Sequence, residues 1–366
     1  MILTSVLWFA TVTSVIVFVH ELGHFFVARL FKVKVETFSI GLGKALFKLT
    51  DKNGTTWKIG WLPLGGYVKM LGDIGAASTP DLERLDAMTE AEKKMSFHYK
   101  ELWQKALIVF AGPFANYLLA LVLFAGLVYV NGLHIVKPEI AGIMENSPAS
   151  AIGLEVGDEI TAVNGKNITN FSELHNTVIL NNGTKSISLT IKRESEIKQF
   201  EVTPKIVEKV DPTGTKVKVP MIGVVGGETL TQQVGLLRAL FIGVEQAYDL
   251  SSMMLETVWQ MVTKTRGLED LGGPIRIAQY TAKSAEYGMV SLLLLIAMIS
   301  LNLGLVNLFP IPLLDGGHLL YYALQAIHGK PLPRKLQVIG FKIGFAVLIS
   351  IMVFATWNDI KNLLWK

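Results

Sequence analysis

The sequence predicts a polytopic α-helical membrane protein with four transmembrane helices, a membrane-associated β-hairpin sheet after the first helix and one inserted α+β domain. The first observation is composition: 51% of the 366 residues are hydrophobic, only 17% are charged, and the mean hydropathy is +0.43. Soluble chains are about one quarter charged, so several membrane spans are needed to account for the apolar excess. The second observation is that apolar residues form four runs long enough to cross a hydrocarbon core, which takes about 20 residues, at 2–30, 106–130, 290–309 and 338–357.

Composition also excludes several classes of site. The chain has no cysteine, which rules out disulfides and thiolate metal sites. Its net charge is only +4 and no basic cluster is interleaved with aromatic residues, so we expect no nucleic-acid partner. The first apolar run has no Lys or Arg before Arg29, unlike the charged start of a signal peptide. We therefore expect it to be retained as a membrane helix.

The apolar runs divide the chain into four predicted parts: 1–131 with the first two spans, 132–226 as the soluble domain, 227–288 as amphipathic surface helices, and 289–366 with the last two spans. Lys and Arg are concentrated in the connections that follow the first and third spans, for example Lys32 and Arg334. Positively charged connections tend to stay in the cytoplasm. The soluble domain and both termini are therefore expected on the other side of the membrane.

A metal-binding pattern lies near the end of the first span. His20 and His24 are four residues apart and share one face of a helix, with Glu21 beside them. Ionisable side chains are costly inside a membrane, which favours a functional role over a structural one. Two histidines and a carboxylate bind zinc and leave its fourth position open for a water that a neighbouring Glu can deprotonate. The pattern therefore requires a third ligand at the same depth.

That third ligand is expected just after the third span. The first and third spans run in the same direction, so Asp315 and His24 should lie at a similar depth toward the cytoplasmic side. Asp315 is the preferred ligand because it completes a His-His-carboxylate set. His318, which lies beyond a break expected at the following glycine pair, is the alternative.

Other polar and proline residues in the spans are further candidates. Pro310 and Pro312 are expected to unwind the end of the third span. Asn307 can hydrogen-bond a substrate backbone or stabilise a developing oxyanion. Asn116, in the second span, needs a polar partner, and we favour a contact between two helices over a role in catalysis.

Residues 36–71 predict short strands around the turn signal Asp51-Lys52-Asn53-Gly54. A hairpin next to the first span has two plausible roles. It can pair with an extended substrate by strand addition, or it can be a structural cap over the helix end. The sequence does not favour either role.

The soluble part contains short predicted strands at 162–163, 185–191, 199–202 and 221–224, and a helix at 173–180. Its Gly153-Leu154, Gly157-Asp158 and Asn164-Gly165 pairs closely resemble a PDZ domain of the bacterial, circularly permuted kind. Such domains bind chain ends or extended segments, so a peptide or chain-end ligand is an expected partner. Farther on, apolar residues from Leu236 to Ala247 follow helical spacing, which predicts helices at the membrane surface.

The chain as a whole resembles the site-2 protease family of intramembrane zinc metalloproteases, and within it the bacterial members that act on anti-sigma factors. The resemblance rests on His20-Glu21-Leu22-Gly23-His24, on Gly112-Pro113-Phe114-Ala115-Asn116, on the single PDZ core, and on the NxxPxPxxDG pattern of residues 307–316. The order of these elements agrees with the family over nearly the whole chain. The chain departs from the best-known enterobacterial members, which carry two PDZ domains in tandem.

The resemblance implies a zinc cofactor, as one ion bound by His20, His24 and Asp315, with Glu21 as the general base. The implied substrate is a single-span membrane protein, such as an anti-sigma factor, that has already been shortened outside the membrane. The implied location is the phospholipid bilayer of the bacterial inner membrane. The PDZ domain and both termini would be periplasmic, and the active site would lie toward the cytoplasm.

The resemblance also implies which residues contact the substrate. Asn307 and Pro310 are expected to do so. The hairpin is expected to present a strand, for which we select Gly66, Tyr67 and Val68.

Two other functions would also account for part of the sequence. A metal-ion transporter also carries His and Asp within the membrane, but it is expected to show paired broken helices and ligands leading to both faces. A non-catalytic scaffold that presents its PDZ domain has no use for HExxH and a distant Asp.

Overall fold

The structure is a computed structural model that describes residues 2–75, 80–330 and 333–364. The chain divides into two compact units, one of Met1–Leu123 with Gly273–Trp357 and one of Phe124–Gly272 with Asn358–Lys366. The helices are α1 (Ile2–Leu30), α2 (Leu82–Asp86), α3 (Glu90–Met95), α4 (Leu102–Asn131), α5 (Pro148–Ala151), α6 (Phe171–Asn181), α7 (Leu236–Val262), α8 (Pro274–Glu286), α9 (Met289–Asn307), α10 (Asp315–His328) and α11 (Arg334–Leu364). The strands are β1 (Val35–Thr50), β2 (Thr56–Met70), β3 (Leu133–Val136), β4 (Ile140–Ile143), β5 (Glu159–Val163), β6 (Lys166–Asn167), β7 (Ile187–Arg193), β8 (Glu196–Val202), β9 (Lys205–Val210), β10 (Lys216–Met221), β11 (Val224–Gly226) and β12 (Thr229–Gln232).

Each predicted apolar run coincides with a helix long and apolar enough to cross a membrane. Within the described residues there are four such helices, with spans at Thr4–Leu30, Leu102–Asn131, Met289–Asn307 and Lys335–Leu364. A span must satisfy its backbone hydrogen bonds internally, which is why a long apolar run folds as a helix.

The β-region after α1 is a sheet of β1 and β2, and its turn begins at Asp51 as the sequence predicts. The Asp51 side chain accepts two backbone N–H groups of the turn, at 2.8 and 2.9 Å. Each residue from Thr37 to Ile40 pairs with two residues of β2, one within 56–59 and one within 66–69. β2 therefore lies along both edges of this part of β1. In the described chain, no further strand pairs with the outer edge of residues 66–69.

Aromatic residues attach this sheet to α1. Phe38 of β1 is 1% exposed. The ring of Phe25, in α1, meets it edge-on at 5.7 Å, and the ring of Trp57, in β2, lies 4.6 Å away. Burial of one such ring contributes about 1.5–3 kcal/mol. The sheet is therefore held against the helix that carries the HExxH pattern.

α1 and α4 approach each other closely at Gly23. A Cβ atom on this glycine would lie 2.2 Å from the main-chain oxygen of Ala111 and 2.8 Å from the Cβ of Ala115. Small residues allow such close backbone contact between membrane helices. Because Gly23 lies between His20 and His24 in the sequence, this contact brings α4 next to both histidines.

The segment after α9 differs from the prediction in one respect. α9 ends at Asn307 and residues 308–314 are irregular, as expected, because Pro310 lacks an N–H and restricts the residue before it. Asp315 then begins a new helix, α10, so the expectation of a break at the glycine pair is wrong. A Cβ on Gly316 would lie 2.3 Å from two main-chain oxygens of the irregular segment. The glycine therefore allows the first turn of α10 to pack directly on that segment.

A four-stranded antiparallel sheet, in the order β6-β5-β7-β8, forms the centre of the second unit. Every second residue of β7 from Ile187 to Ile191 is fully buried, namely Ile187, Leu189 and Ile191, as a strand with one face in the core requires. These residues form one cluster with Leu174 and Val178 of α6. Outside this sheet, β11 pairs with β4, β12 with β3, and β9 with β10.

The Gly157-Asp158 pair of the second unit has a structural role, which the Asp158 carboxylate performs. Asp158 is 1% exposed, and its two oxygens accept hydrogen bonds from Arg193 of β7 at 2.7 and 2.8 Å. It also accepts the backbone N–H of Glu155 at 2.9 Å. Burial acts to raise the pKa of Asp158, but these hydrogen bonds and the charge of Arg193 outweigh it and lower the pKa. Asp158 therefore fastens its loop to the end of β7.

α7 buries small residues and exposes large ones. Ala239 and Ala247 are buried, whereas Leu237 and Phe241 are about three-quarters exposed, at 74% and 75%. A large apolar face on a long amphipathic helix is suited to contact with a bilayer surface. The placement of this helix at the membrane surface stays a prediction.

Candidate metal centre

His20 and His24 lie one turn apart on the same face of α1. The helix is continuous from Ile2 to Leu30, so the spacing of four brings the two rings together. Their ring centroids are 4.8 Å apart and their Nε2 atoms are 3.2 Å apart. Both imidazoles and the Glu21 side chain belong to residues only 9% exposed. The apolar helix therefore presents two nitrogen donors to one point.

Asp315 completes a group of three ligand atoms. Its Oδ2 atom lies 3.2 Å from Nε2 of His20 and 3.5 Å from Nε2 of His24. Ligand atoms about 2.0–2.2 Å from a tetrahedral zinc ion stand roughly 3.3–3.6 Å from one another. The separations among these three atoms therefore fit a single zinc ion, and two His with one carboxylate is a donor set of catalytic zinc.

α4 forms the wall behind both histidines through three positions spaced by four residues. The main-chain oxygen of Ile108 lies 2.8 Å from Nδ1 of His24, and the amide of Asn116 lies 3.3 Å from Nδ1 of His20. Between them is Gly112, where a Cβ would stand 2.2 Å from Nε2 of His24 and 2.9 Å from Cε1 of His20. The two rings therefore lie directly against the backbone of α4.

The sequence predicts only one of these three contacts. It predicts a helix–helix contact for Asn116, and the structure shows two: the amide faces α1, and the main-chain oxygen accepts the hydroxyl of Ser300 in α9 at 2.9 Å. Ile108 and Gly112 are missed by reasoning from the sequence. The one available signal is that Ile108, Gly112 and Asn116 share a helix face, with a residue that lacks a side chain in the middle.

Glu21 lies beside the ligand group and against β2. A Cβ on Gly66 would lie 2.9 Å from Cγ of Glu21 and 2.8 Å from the main-chain oxygen of Ser39. Only a glycine lets β2 pass so close to Glu21. Of the two following residues, Tyr67 is half-buried and Val68 is 5% exposed, so Val68 can offer its backbone but not its side chain to a partner.

The remaining predicted residues lie on either side of Asp315 in the sequence. Asn307 is the last residue of α9 and is half-buried, and Pro310 is exposed in the irregular segment. His318, the alternative ligand, is not part of the three-residue group, and its ring packs against Phe341 of α11 with centroids 5.6 Å apart. The structure therefore groups Asp315, and not His318, with the two histidines.

Leu313 has an unusual backbone two residues before Asp315. Its φ of 87° lies in the left-handed region, where a residue with a side chain is strained by about 1–2 kcal/mol. Packing holds the neighbouring residue in place, since a Cβ on Gly344 of α11 would lie 2.2 Å from the main-chain oxygen of Pro312. Such strain persists only where the surroundings enforce it, and it is frequent at functional sites.

Comparisons with known proteins show the family of the chain. A family model described as peptidase family M50 matches residues 8–351. A protein of Agrobacterium fabrum named "Putative zinc metalloprotease" is 38% identical over 360 residues, which cover 97% of this chain and 95% of that protein. One of the same description from Rickettsia conorii is 39% identical over 362 residues, with 98% and 99% covered. "Metalloprotease MmpA" of Caulobacter vibrioides is 33% identical over 377 residues, with 96% and 94% covered.

Solved structures match only a part of the chain. The PDZ domain of the SdrC-like protein of Listeria monocytogenes is 18% identical, with 24% of this chain and 84% of that chain covered and a TM-score of 0.20. That of Listeria innocua is 18% identical, with 26% and 99% covered and a TM-score of 0.21. These scores are too low to support an argument, whereas the family model spans nearly the whole chain. The chain therefore belongs to peptidase family M50, the site-2 protease family, and is a zinc metalloprotease.

Proposed function

We propose that this protein is an intramembrane endopeptidase that cleaves the transmembrane segment of single-span membrane proteins, such as an anti-sigma factor, after a first cut outside the membrane. The observation that supports this most directly is the convergence of His20, His24 and Asp315 next to Glu21, in a chain with four apolar helices. Ionisable residues placed within apolar helices mark a functional site, and a zinc site there is suited to peptide bonds at the same depth.

In this proposal each residue of the centre has one role. His20, His24 and Asp315 hold one zinc ion. When bound, zinc polarises a carbonyl and lowers the pKa of a bound water to about 7. The Glu21 carboxylate takes a proton from the attacking water and passes it to the amide nitrogen that leaves. Burial of Glu21 keeps other water away from this proton transfer.

The substrate must be unwound before it is cut, because a helical peptide keeps its carbonyls in hydrogen bonds that no bilayer water replaces. Strand pairing with β2 would compensate for the loss of these intrahelical hydrogen bonds. Two observations favour pairing over a purely structural cap: the outer edge of residues 66–69 has no strand partner in the described chain, and Gly66 lies against Glu21. The backbone groups of Gly66, Tyr67 and Val68 would form this pairing.

Asn307 and Pro310 are the other proposed substrate contacts. Both lie within eight residues of Asp315 in the sequence, at the end of α9 and in the irregular segment. The Asn307 amide can donate a hydrogen bond to the oxyanion that develops on the scissile carbonyl. Pro310 keeps the segment out of a helical conformation and is exposed to a partner.

The proposal also gives a location and a role to each of the four parts of the chain. The positively charged connections support an inner-membrane protein whose active site faces the cytoplasm and whose termini and soluble domain are periplasmic. In this arrangement 132–226 is a PDZ domain that binds a peptide or chain end, and 227–288 lies on the membrane surface. The membrane parts, 1–131 and 289–366, carry the metal centre.

The test uses purified protein and model single-span substrates whose outer domains differ in length. We expect cleavage inside the transmembrane segment, strongest for the shortest outer domain, abolished by a zinc chelator and restored by added zinc. Cleavage that is insensitive to the chelator, or no cleavage of any substrate by the zinc-loaded protein, would contradict the proposal. Zinc flux into proteoliposomes without cleavage would indicate a transporter. A protein that neither binds zinc nor cleaves would indicate a scaffold.

A further inference from the structure

Asn116 is a fully buried polar residue at the metal centre that the proposed mechanism does not use. It is 0% exposed in the middle of α4. Its amide nitrogen lies 3.3 Å from Nδ1 of His20, and its amide oxygen has no hydrogen-bond partner among the described residues. A buried polar atom without a partner costs about 1–3 kcal/mol, so an apolar helix would not keep this amide without a function.

The two histidines have different partners on their second nitrogen. Nδ1 of His24 lies 2.8 Å from the main-chain oxygen of Ile108, which can only accept a hydrogen bond. This contact fixes the proton of His24 on Nδ1 and leaves Nε2 free as a ligand. Nδ1 of His20 faces a side-chain amide, which can either donate or accept. The tautomer of His20 is therefore set by the orientation of Asn116.

Two arrangements of this amide satisfy the neutral ring. When Nε2–H of His20 donates to Oδ2 of Asp315, 3.2 Å away, Nδ1 has a lone pair and accepts from the amide nitrogen of Asn116. When Nε2 is a metal ligand, the one proton of the ring is on Nδ1, which must donate. The acceptor within reach is then the amide oxygen, which requires the amide to be turned over.

We propose that Asn116 is the positioning residue that prepares His20 for zinc, and that its amide turns over as zinc binds. The proposal rests on the ligand set of the proposed function, His20, His24 and Asp315. It explains why the position holds an amide: an apolar residue would leave Nδ1 of His20 buried without a partner, and a residue that only accepts would hold the ring permanently ready for metal. It also accounts for the amide oxygen that now lacks a partner.

The test measures zinc affinity by competition with a chelator, on full-length protein purified in detergent. Removal of an outer hydrogen-bond partner of a ligating histidine typically weakens metal binding 10–100-fold. We expect a loss of that size for Asn116→Ala and for Asn116→Leu, which keeps the volume of the side chain. We expect Asn116→Asp, which only accepts, to bind zinc at least as tightly as the wild type.

Two further measurements separate positioning from a structural role. Ser300→Ala removes the hydroxyl that binds the main-chain oxygen of Asn116 but leaves the amide, so zinc affinity should stay within about threefold of the wild type. With Co²⁺ in place of zinc, Asn116→Leu should change the visible absorption spectrum and Ser300→Ala should not. If the Ala variant does not fold, the zinc affinities of the Asp and Leu variants can still be compared.

The proposal is overturned if folded Asn116→Leu binds zinc as tightly as the wild type, or if Asn116→Asp is as weak as Asn116→Leu. The first result would show that His20 needs no partner, and the second that an acceptor at this position does not prepare His20 for zinc. Both readouts are independent of substrate cleavage. A wild-type protein that binds zinc through these residues but cuts no substrate would therefore contradict the proposed function and leave this inference standing.

Discussion

Gly112 lies against His24 so closely that a Cβ on the glycine would stand 2.2 Å from Nε2, the atom that faces Asp315. The closest atoms to that hypothetical Cβ belong to the imidazole of a proposed metal ligand. The absence of a side chain on α4 is therefore a condition for placing His24, in addition to the spacing of the HExxH pattern on α1.

Gly112→Ala is expected to displace His24 and to weaken zinc binding by at least about tenfold, because a 2.2 Å contact must be relieved by moving the ring. Zinc content after dialysis and proteolytic activity should fall together. Gly126→Ala is the matched control, since a Cβ on Gly126 in the same helix meets no described atom within 4 Å. Full zinc content in the Gly112 variant would show that the helices separate at little cost.

Glu21→Gln is expected to keep zinc and to lose cleavage by about 10²–10⁴-fold, because the amide occupies the same space but cannot take a proton from the attacking water. Elemental analysis and a cleavage assay on the same preparation measure the two effects. His24→Gln is the contrasting variant, since it should lose both zinc and cleavage. Cleavage near the wild-type rate in the Glu21 variant would show that another group is the base.

Leu313→Gly is expected to retain zinc binding and stability, and Leu313→Val is expected to reduce both. A glycine adopts a φ of 87° without strain, whereas a β-branched residue is strained there by more than leucine, at a cost of about 1 kcal/mol or more. Thermal melting and zinc competition are the measurements. Leu314→Val is the control, because Leu314 has an extended backbone with φ −92°. Equal behaviour of the Gly and Val variants would mean that the backbone of residue 313 does not position Asp315.

Arg193→Met is expected to destabilise the second unit at neutral pH, because it leaves the Asp158 carboxylate buried without its cation. Hydrogen–deuterium exchange of β5 and β7 in the full chain should become faster. Lys192→Met is the control, since its ion pair with Glu159 is 4.0 Å long and both side chains are 52% exposed. Unchanged exchange in the Arg193 variant would show that the loop is held by its other contacts.

The same pair predicts a dependence of stability on pH. The pKa of Asp158 is lowered in the folded protein, so its contribution is fully present above its unfolded pKa, about 3.9, and is lost as the pH falls through the folded value. Protection of β7 from exchange should therefore fall in the wild type below about pH 4. The Arg193→Met variant should show a smaller fall, because the interaction that lowers the pKa is absent. An equal loss of β7 protection in the two proteins at low pH would show that other carboxylates cause the loss.

Much of the fold follows from local patterns. The apolar runs predict the four long helices, Asp51 predicts the turn between β1 and β2, and Pro310 predicts the end of α9. The pattern around Asp315 predicts the wrong local structure, because a glycine pair after an irregular segment indicates a break. The glycines instead lie in the first turn of α10, where their lack of side chains permits close packing.

The sequence by itself determined the candidate side chains for the proposed chemistry, since His20, Glu21 and His24 are placed by helical spacing alone and Asp315 by its position just after the third apolar run. Only the tertiary structure decided what surrounds them. Ile108 and Asn116 contact histidines that are 84 and 96 residues away in the chain. No local pattern specifies which face of α4 meets α1, because that face is selected by the fit of two helix surfaces where small residues such as Gly23 let the backbones touch.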